Sequence, residues 1–165
     1  MDILTIGHSN VAAERIIELL KQHGIEVLVD VRSVPYSRYN PQFNRETFQR
    51  TLEVAGIKYA YAGQYLGGRP DDPTCYEGEQ VQYRRIMARS WYQNGIDQLL
   101  DLANGQRAVI MCSEEDPLHC HRHNLITQTL LERGVTVWHI RGDGQLEQAH
   151  LNPSEAEQLS LFYKE

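Results

Sequence analysis

Short apolar segments alternate with longer segments of helical periodicity along this chain, and no other feature limits its possible folds as strongly. The apolar segments predict five strands, at residues 3–6, 27–31, 57–62, 107–112 and 135–140. Helical spacing predicts helices at 11–23, 45–55, 80–103 (broken near 94–95) and 116–132, and a short one after Pro153. Such alternation is typical of a mostly parallel sheet with helices on both faces. The sequence therefore predicts one α/β domain over residues 1–165, a three-layer sandwich with a mostly parallel sheet of about five strands.

Composition and charge argue against several classes of protein. A chain of 165 residues with 41% hydrophobic content is long enough for one domain with a sizeable core. The formal net charge of -6 disfavours nucleic acid as a partner, because a negative protein repels a polyanion. The N-terminus lacks the pattern of a secretory signal and no segment is apolar enough to span a membrane, so no membrane association is predicted. Three cysteines are too few for a disulfide framework, which favours a cytoplasmic protein.

Polar residues follow four of the five predicted strands at the point where each strand ends. In open α/β sheets, ligands bind beyond the carboxyl ends of the strands, where turns and helix N-termini converge. Because parallel strands end at the same edge, the sequence predicts that these groups form a polar cleft. The groups are His8, Ser9 and Asn10; Asp30, Arg32 and Ser33; Cys112, Ser113 and Glu114; and Arg141.

Residues 111–125, MCSEEDPLHCHRHNL, hold the densest group of reactive side chains in the chain. Cys112 or Cys120 could act as a thiolate nucleophile, since both are predicted near a helix N-terminus, which lowers a thiol pKa. Both could instead bind a transition metal with a neighbouring histidine, but the spacing C-x7-C-H-x-H matches no recognised zinc motif, and no metal or other cofactor is predicted. Either could also be a small buried residue, as free cysteines usually are. The sequence leaves all three interpretations open.

The predicted activity is hydrolysis or group transfer on a small or nucleotide-like anionic substrate. The candidate catalytic residues are Asp30, Cys112, Glu114, His8 and Cys120. The candidate substrate-binding residues carry hydroxyl, amide or guanidinium groups suited to an anion: Ser9, Asn10, Arg32, Ser33, Arg38, Arg69 and Arg122. A structural role competes at Asp30, because a carboxylate at a strand end can accept the N–H groups of a turn. The sequence contains no standard glycine-rich phosphate loop, which argues against ATP-driven chemistry.

The main alternative to an enzyme is a binding module. Residues 32–43 combine arginines with Tyr36, Tyr39 and Phe43, and such a loop could grip a nucleic acid or a nucleotide. In that interpretation, the cysteines pack in the core or hold a metal ion.

Four motifs spaced along most of the chain, up to about Arg141, are IGHSN, DVRSVPYSRYNPQFN, YLGGRP and MCSEEDPLHCHR. In this combination the chain resembles the uncharacterised family known as domain of unknown function 488. The resemblance implies a compact bacterial or archaeal α/β domain. It implies no substrate and no catalytic residue, so the function has to be inferred from the site.

A partial similarity extends to rhodanese-type sulfurtransferases, carried by VLVDVRSVP and by AVIMC followed by LLERGVTVWHIRGDG. In that family a cysteine at a strand end becomes a persulfide cradled by backbone amides, and the similarity implies this role for Cys112. The chain departs from the pattern in the longer segment between Cys112 and Arg122. That segment also carries Glu114, Glu115 and Asp116, which disfavour a thiolate or persulfide by like-charge repulsion.

Overall fold

Six strands form one sheet in the computed structural model, which describes residues 1–154. The strands of the chain are β1 (Asp2–Gly7), β2 (Val27–Asp30), β3 (Lys58–Tyr61), β4 (Tyr76–Glu77), β5 (Gln80–Val81), β6 (Ala108–Cys112), β7 (Thr136–Ile140) and β8 (Leu146–Gln148). The order in the sheet is β3-β2-β6-β1-β7-β8, parallel except at β8, while β4 and β5 form a separate antiparallel hairpin. The predicted α/β class with a mostly parallel sheet is confirmed.

Helices cover both faces of the sheet, as the alternating pattern predicts. They are α1 (Ala13–Gln22), α2 (Arg45–Val54), α3 (Gly63–Leu66), α4 (Tyr83–Met87), α5 (Ser90–Ala103) and α6 (Gln128–Glu132), with a π-helical segment, Arg122–Thr127, directly before α6. Helices α1 and α2 pack on one face, and α5 and α6 on the other, each over its own apolar core. None of the helices within residues 1–154 is long and apolar enough to cross a membrane.

The central strands are apolar on both faces, as strands covered by helices on both sides must be. In β6, Val109 and Met111 enter the core beneath α1 and α2, whereas Ile110 and Cys112 enter the opposite core with α5 and α6. Alternation along the strand therefore directs Cys112 to the face that also holds Cys120.

Strand β6 lies between β1 and β2, although it follows them by many residues in the chain. Gly7 is paired with Cys112 on one side, and Asp30 with Met111 on the other. The chain therefore changes direction across the sheet at β6, and a crevice forms at such a point beyond the strand ends.

The structure differs from the predictions at one edge of the sheet and in two of the predicted helices. The sheet has an additional antiparallel edge strand, β8, because the polar turn after β7 leads into a β-hairpin. The segment predicted as one helix over 80–103 contains β5, α4 and α5, with its break at Ala88 and Arg89 instead of 94–95. The short helix predicted after Pro153 lies outside the described residues.

The predicted helix over 116–132 is also interrupted. Asp116 caps a 3-10 turn, Pro117–His119, but Cys120 then has an extended backbone with φ of -134° and ψ of 145°. Cys120 therefore lies just before the first turn of a helix rather than within it: the helix starts at His121, and the Cys120 carbonyl accepts the N–H groups of His123 and Asn124.

Candidate active site

A cleft of about 540 Å³ opens beyond the carboxyl ends of β2 and β6. Its walls come from the loop after β2, the loop after α3, the start of α4 and the segment that follows β6. The lining residues are Arg32, Ser33, Val34, Gly68, Arg69, Val81, Tyr83, Cys112, Ser113, Glu114, His119, Cys120 and His121.

Two cysteines and one histidine meet in this cleft. The Nδ1 atom of His121 lies 3.5 Å from Cys112 Sγ and 3.9 Å from Cys120 Sγ, and the three atoms lie within 4.8 Å of one another. The other ring nitrogen, Nε2, is 2.9 Å from the carbonyl oxygen of Val31. A carbonyl can only accept, so Nε2 carries a proton, and in the neutral ring Nδ1 then presents its lone pair to the sulfurs.

The surroundings of Cys112 favour its thiolate. A hydrogen bond from the Cys120 thiol lowers the pKa of Cys112 to about 7, helped by the backbone N–H groups of Ser113 and Glu114 and by the charge of Arg122, and opposed by burial. The same hydrogen bond, together with burial, raises the pKa of Cys120 to about 12. In the metal-free chain, one thiol therefore ionises and the other remains a donor.

Arg122 holds the loop that follows Cys112. Its buried guanidinium donates from Nε to Thr5 Oγ1 at 3.1 Å, from Nη2 to the carbonyl of Glu115 at 2.9 Å, and from Nη1 to the carbonyl of Glu114. With these carbonyls turned towards Arg122, the N–H groups of the loop are free to face Cys112. Arg122 was predicted to bind substrate; it lies outside the cleft lining, and its contacts suit a role in positioning the loop.

Gly7 allows this loop to pass close to β1. A Cβ atom on Gly7 would lie only 1.6 Å from the carbonyl oxygen of Glu114, an overlap with backbone that no side-chain movement relieves. The loop therefore depends on glycine at this position.

Asp30 is fully buried and its carboxylate is occupied. It accepts from Arg32 Nε at 2.9 Å and Nη2 at 2.8 Å, and from the Tyr59 hydroxyl at 2.6 Å. Arg32 also donates to the carbonyl of Phe43 at 2.8 Å, which ties the loop after β2 to the strand end. This geometry suits a positioning role for Asp30 rather than direct contact with a substrate.

His8 lies behind the cleft. Its Nδ1 donates to the carbonyl of Ser9 at 2.6 Å, Arg32 Nη1 lies 3.3 Å from Nε2, and the ring stacks on Phe43 with centroids 4.3 Å apart. Burial is the main cause that lowers the pKa of His8 to about 4, so the ring is neutral and Nε2 is an acceptor. These contacts connect the Asp30–Arg32 ion pair to the loop that follows β1.

The other predicted binding residues divide into two groups. Ser33 and Arg69 line the cleft, and the Ser33 hydroxyl accepts the backbone N–H of Arg69 at 2.9 Å. Ser9, Asn10 and Arg38 lie outside that lining, with the Arg38 guanidinium over the Tyr39 ring at 5.0 Å. The structure therefore brings together only part of the predicted set.

The acidic residues after Cys112 are separated by their partners. Glu115 pairs with Arg141 at 3.0 Å, and Asp116 accepts the N–H of Leu118 at 3.0 Å. Among residues 1–154, Glu114 is the carboxylate that lines the cleft. Of the three carboxylates expected to repel a Cys112 thiolate, Glu114 is thus the one that lines the same cleft.

His121 and Tyr83 are cleft residues that the predicted site omitted. The signal for His121 was its place in the dense reactive segment 111–125, where a histidine beside the cysteines was already a candidate metal ligand. Tyr83 carries no such signal, since it reaches the cleft from the start of α4, in a segment that the sequence predicts as one helix.

A family model described as "Domain of unknown function DUF488" matches residues 12–128, more than half of the chain and all three residues of the cysteine-histidine cluster. Neither the curated proteins nor the solved structures include a match to the chain.

Proposed function

The chain belongs to the DUF488 family, whose description assigns no reaction, and we propose from the site itself that it is an enzyme of hydrolysis or group transfer. Its substrate is a small or nucleotide-like anion bound in the cleft beyond β2 and β6. Its reacting centre is the cluster of Cys112, Cys120 and His121.

One observation carries this proposal: the three reactive side chains lie together where the core meets the cleft, and all three line the cleft although both cysteines are buried. Free cysteines commonly pack as small apolar residues, and packing alone accounts for the third cysteine, Cys75, which is fully buried. Packing does not account for an imidazole whose tautomer is set by Val31 so that Nδ1 faces two sulfurs. Convergent polar groups in a pocket are the usual mark of an active site.

The cleft suits a small anion. Its volume of about 540 Å³ lies within the range of roughly 300–1,000 Å³ typical of small-molecule sites. Arg69 supplies a cation on the wall, Ser33 a hydroxyl, and Tyr83 an aromatic ring on which a planar group can stack. Glu114, on the same wall, is the candidate proton acceptor.

The proposal is tested by binding and turnover with a panel of nucleotides, phosphate esters and carboxylate esters, followed by calorimetry and by mass spectrometry of products. We expect one group of anions to bind to wild-type protein, to bind more weakly to Arg69→Met, and to be turned over by wild type but not by Cys112→Ala. Cys75→Ala is the matched control, because it removes a buried cysteine outside the cleft. Turnover that survives Cys112→Ala would remove Cys112 from the reacting centre and contradict the proposal.

Sulfur transfer is a second candidate, supported by the Ser113 and Glu114 N–H groups that stabilise the Cys112 thiolate. In this reaction the thiolate attacks the outer sulfur of thiosulfate, the S–S bond of the donor breaks, and sulfite leaves with the electron pair while Cys112 becomes a persulfide. Mass spectrometry after thiosulfate treatment should then detect one added sulfur on Cys112 and none on Cys75. An unmodified Cys112 eliminates this candidate.

A further inference from the structure

We propose that Cys112, Cys120 and His121 bind a Zn²⁺ ion, with a fourth coordination position that faces the cleft. This inference rests on the proposed function, because it identifies the reacting centre as a metal centre.

The separations of the ligand atoms fit tetrahedral coordination. With Zn–S bonds of about 2.3 Å and Zn–N bonds of about 2.0–2.1 Å, two ligands of one tetrahedral ion lie roughly 3.5–3.8 Å apart. The distances from His121 Nδ1 to the two sulfurs are 3.5 Å and 3.9 Å, and all three ligand atoms lie within 4.8 Å of one another. Little movement is therefore needed to place all three around one ion.

A metal ion also explains why two sulfurs approach one nitrogen. The Nδ1 lone pair of His121 can accept one S–H hydrogen bond, so without a metal ion at most one of the two cysteines can donate to it. An ion between the three atoms uses both sulfurs and the nitrogen together. The set of two thiolates and one imidazole is characteristic of zinc.

The imidazole is held in the orientation that coordination requires. Its Nε2–H donates to the carbonyl of Val31 at the end of β2, and histidine ligands usually donate their second N–H to such an acceptor. Gly68 packs against the ring, since a Cβ atom there would lie 2.9 Å from His121 Cγ. The strand end and the Gly68 loop together fix the ring before any ion binds.

The position of the cluster distinguishes a catalytic from a structural site. Structural zinc sites usually have four protein ligands, whereas catalytic sites have three and keep one position for water or substrate. Here the three ligand residues line a cleft that also contains Glu114 and Arg69. A zinc-bound water in the fourth position would transfer its proton to Glu114 and add to the substrate, and the leaving group would depart with that proton.

Zinc content and cobalt substitution test the site in the full-length chain. We expect wild type to bind one equivalent of Zn²⁺ in competition with a chromophoric chelator, and Co²⁺ to produce a thiolate-to-cobalt charge-transfer band. Loss of an outer hydrogen-bond partner alone typically weakens metal binding by about 10–100-fold. The variants Cys112→Ser, Cys120→Ser and His121→Gln should weaken zinc binding by at least as much.

Two variants serve as controls: Cys75→Ser removes a buried cysteine outside the cluster, and His119→Gln removes a cleft histidine outside it. Both should retain full zinc binding. The inference is overturned if wild-type protein shows no charge-transfer band, a result that does not depend on whether any variant folds. It is also overturned if the cluster variants and the control variants bind zinc equally. Turnover of an anion by metal-free wild type, lost in Cys112→Ala, would overturn the zinc site and leave the proposed function intact.

Discussion

Arg122 and Arg69 are both arginines beside the cleft, but their contacts assign them different roles. Replacing Arg122 with methionine leaves the carbonyls of Glu114 and Glu115 and the hydroxyl of Thr5 without their donor. Each unsatisfied buried group costs about 1–3 kcal/mol. We therefore expect Arg122→Met to lower the free energy of unfolding by at least about 2 kcal/mol, measured by urea denaturation.

Arg69→Met should instead weaken anion binding while the free energy of unfolding stays within about 0.5 kcal/mol of wild type, as is usual for surface substitutions. Arg38→Met, which removes an exposed guanidinium stacked on Tyr39, should change neither quantity. If Arg122→Met kept full stability and lost only anion affinity, Arg122 would be a binding residue and its positioning role would be wrong.

Gly7 provides a second test of the loop. In Gly7→Ala the new methyl group overlaps the carbonyl of Glu114, so strand β1 or the loop must shift. Overpacking of this kind typically costs about 1–3 kcal/mol, and we expect a loss of that size together with lower reactivity at the cluster. Gly142→Ala is the matched control, because its Cβ meets Glu115 at an ordinary distance of 3.5 Å. Equal stability of the two variants would show that the loop does not depend on Gly7.

Individual site residues were predictable where the chemistry is local. Cys112 ends a strand and Glu114 lies two residues after it, and the sequence alone predicts that they reach the cleft. The role of Asp30 was not predictable in the same way, because Tyr59 donates to it from a neighbouring strand whose place in the sheet the sequence does not reveal. A carboxylate at a strand end looks the same in sequence whether it is free or fully occupied.

At the scale of elements, a chain of hydrogen bonds connects β1, β7 and the π-helical segment beneath the site. Arg122 Nε donates to Thr5 Oγ1, and the Thr5 hydroxyl lies 2.6 Å from His139 Nδ1. His139 Nε2 lies 3.0 Å from His123 Nδ1, and His123 Nε2 lies 2.9 Å from Asn152 Oδ1. Because Arg122 can only donate and the Asn152 oxygen can only accept, the bonds can all run in one direction, from Arg122 to Asn152.

The buried histidine in this series of hydrogen bonds predicts that the stability of the protein depends on pH. Burial is the main cause that lowers the pKa of His139 from 6.5 to about 3, with further lowering by Arg122, His123 and Arg141. The unfolded chain therefore binds a proton at this residue at pH values where the folded chain does not. Its contribution to stability is present above pH 6.5 and is lost progressively as the pH falls towards 3.

We expect the unfolding free energy of wild type to fall more steeply over this window than that of His139→Gln, measured by urea denaturation at several pH values. The difference between the two proteins removes the contribution of carboxylates that titrate in the same range. Parallel curves would contradict a buried neutral His139.

The π-helical segment also shows why the element boundaries near the site could not be predicted. The pattern over 116–132 has helical periodicity, which does not reveal the extended backbone at Cys120 between the 3-10 turn and the π-helical segment. The Thr127 hydroxyl donates to the carbonyl of Arg122 at 2.5 Å, which supports the wider turn. Single π-helical turns often occur at functional sites, where a side chain has to be redirected.

At the scale of the whole molecule, the alternation of strands and helices was sufficient to predict the class but not the order of the strands. The site depends on that order, because β6 enters between β1 and β2 and brings Cys112 next to the end of β2, where Val31 orients His121. Long-range strand pairing leaves little trace in a single sequence, since each central strand is apolar on both faces.

Two properties of the whole molecule, its net charge and the volume of its cleft, distinguish a small ligand from a nucleic acid. The net charge of -6 and the modest cleft volume predict that a short single-stranded DNA binds no more tightly than the corresponding nucleoside monophosphate. Each phosphate contact contributes a slope of about -0.7 to -0.9 to the dependence of log K on log salt. Binding through Arg69 should therefore show a slope near that of one or two contacts, measured by calorimetry at several salt concentrations. A steep slope, with tighter binding of the oligonucleotide that survives Cys112→Ala, would favour a nucleic-acid binding module over an enzyme.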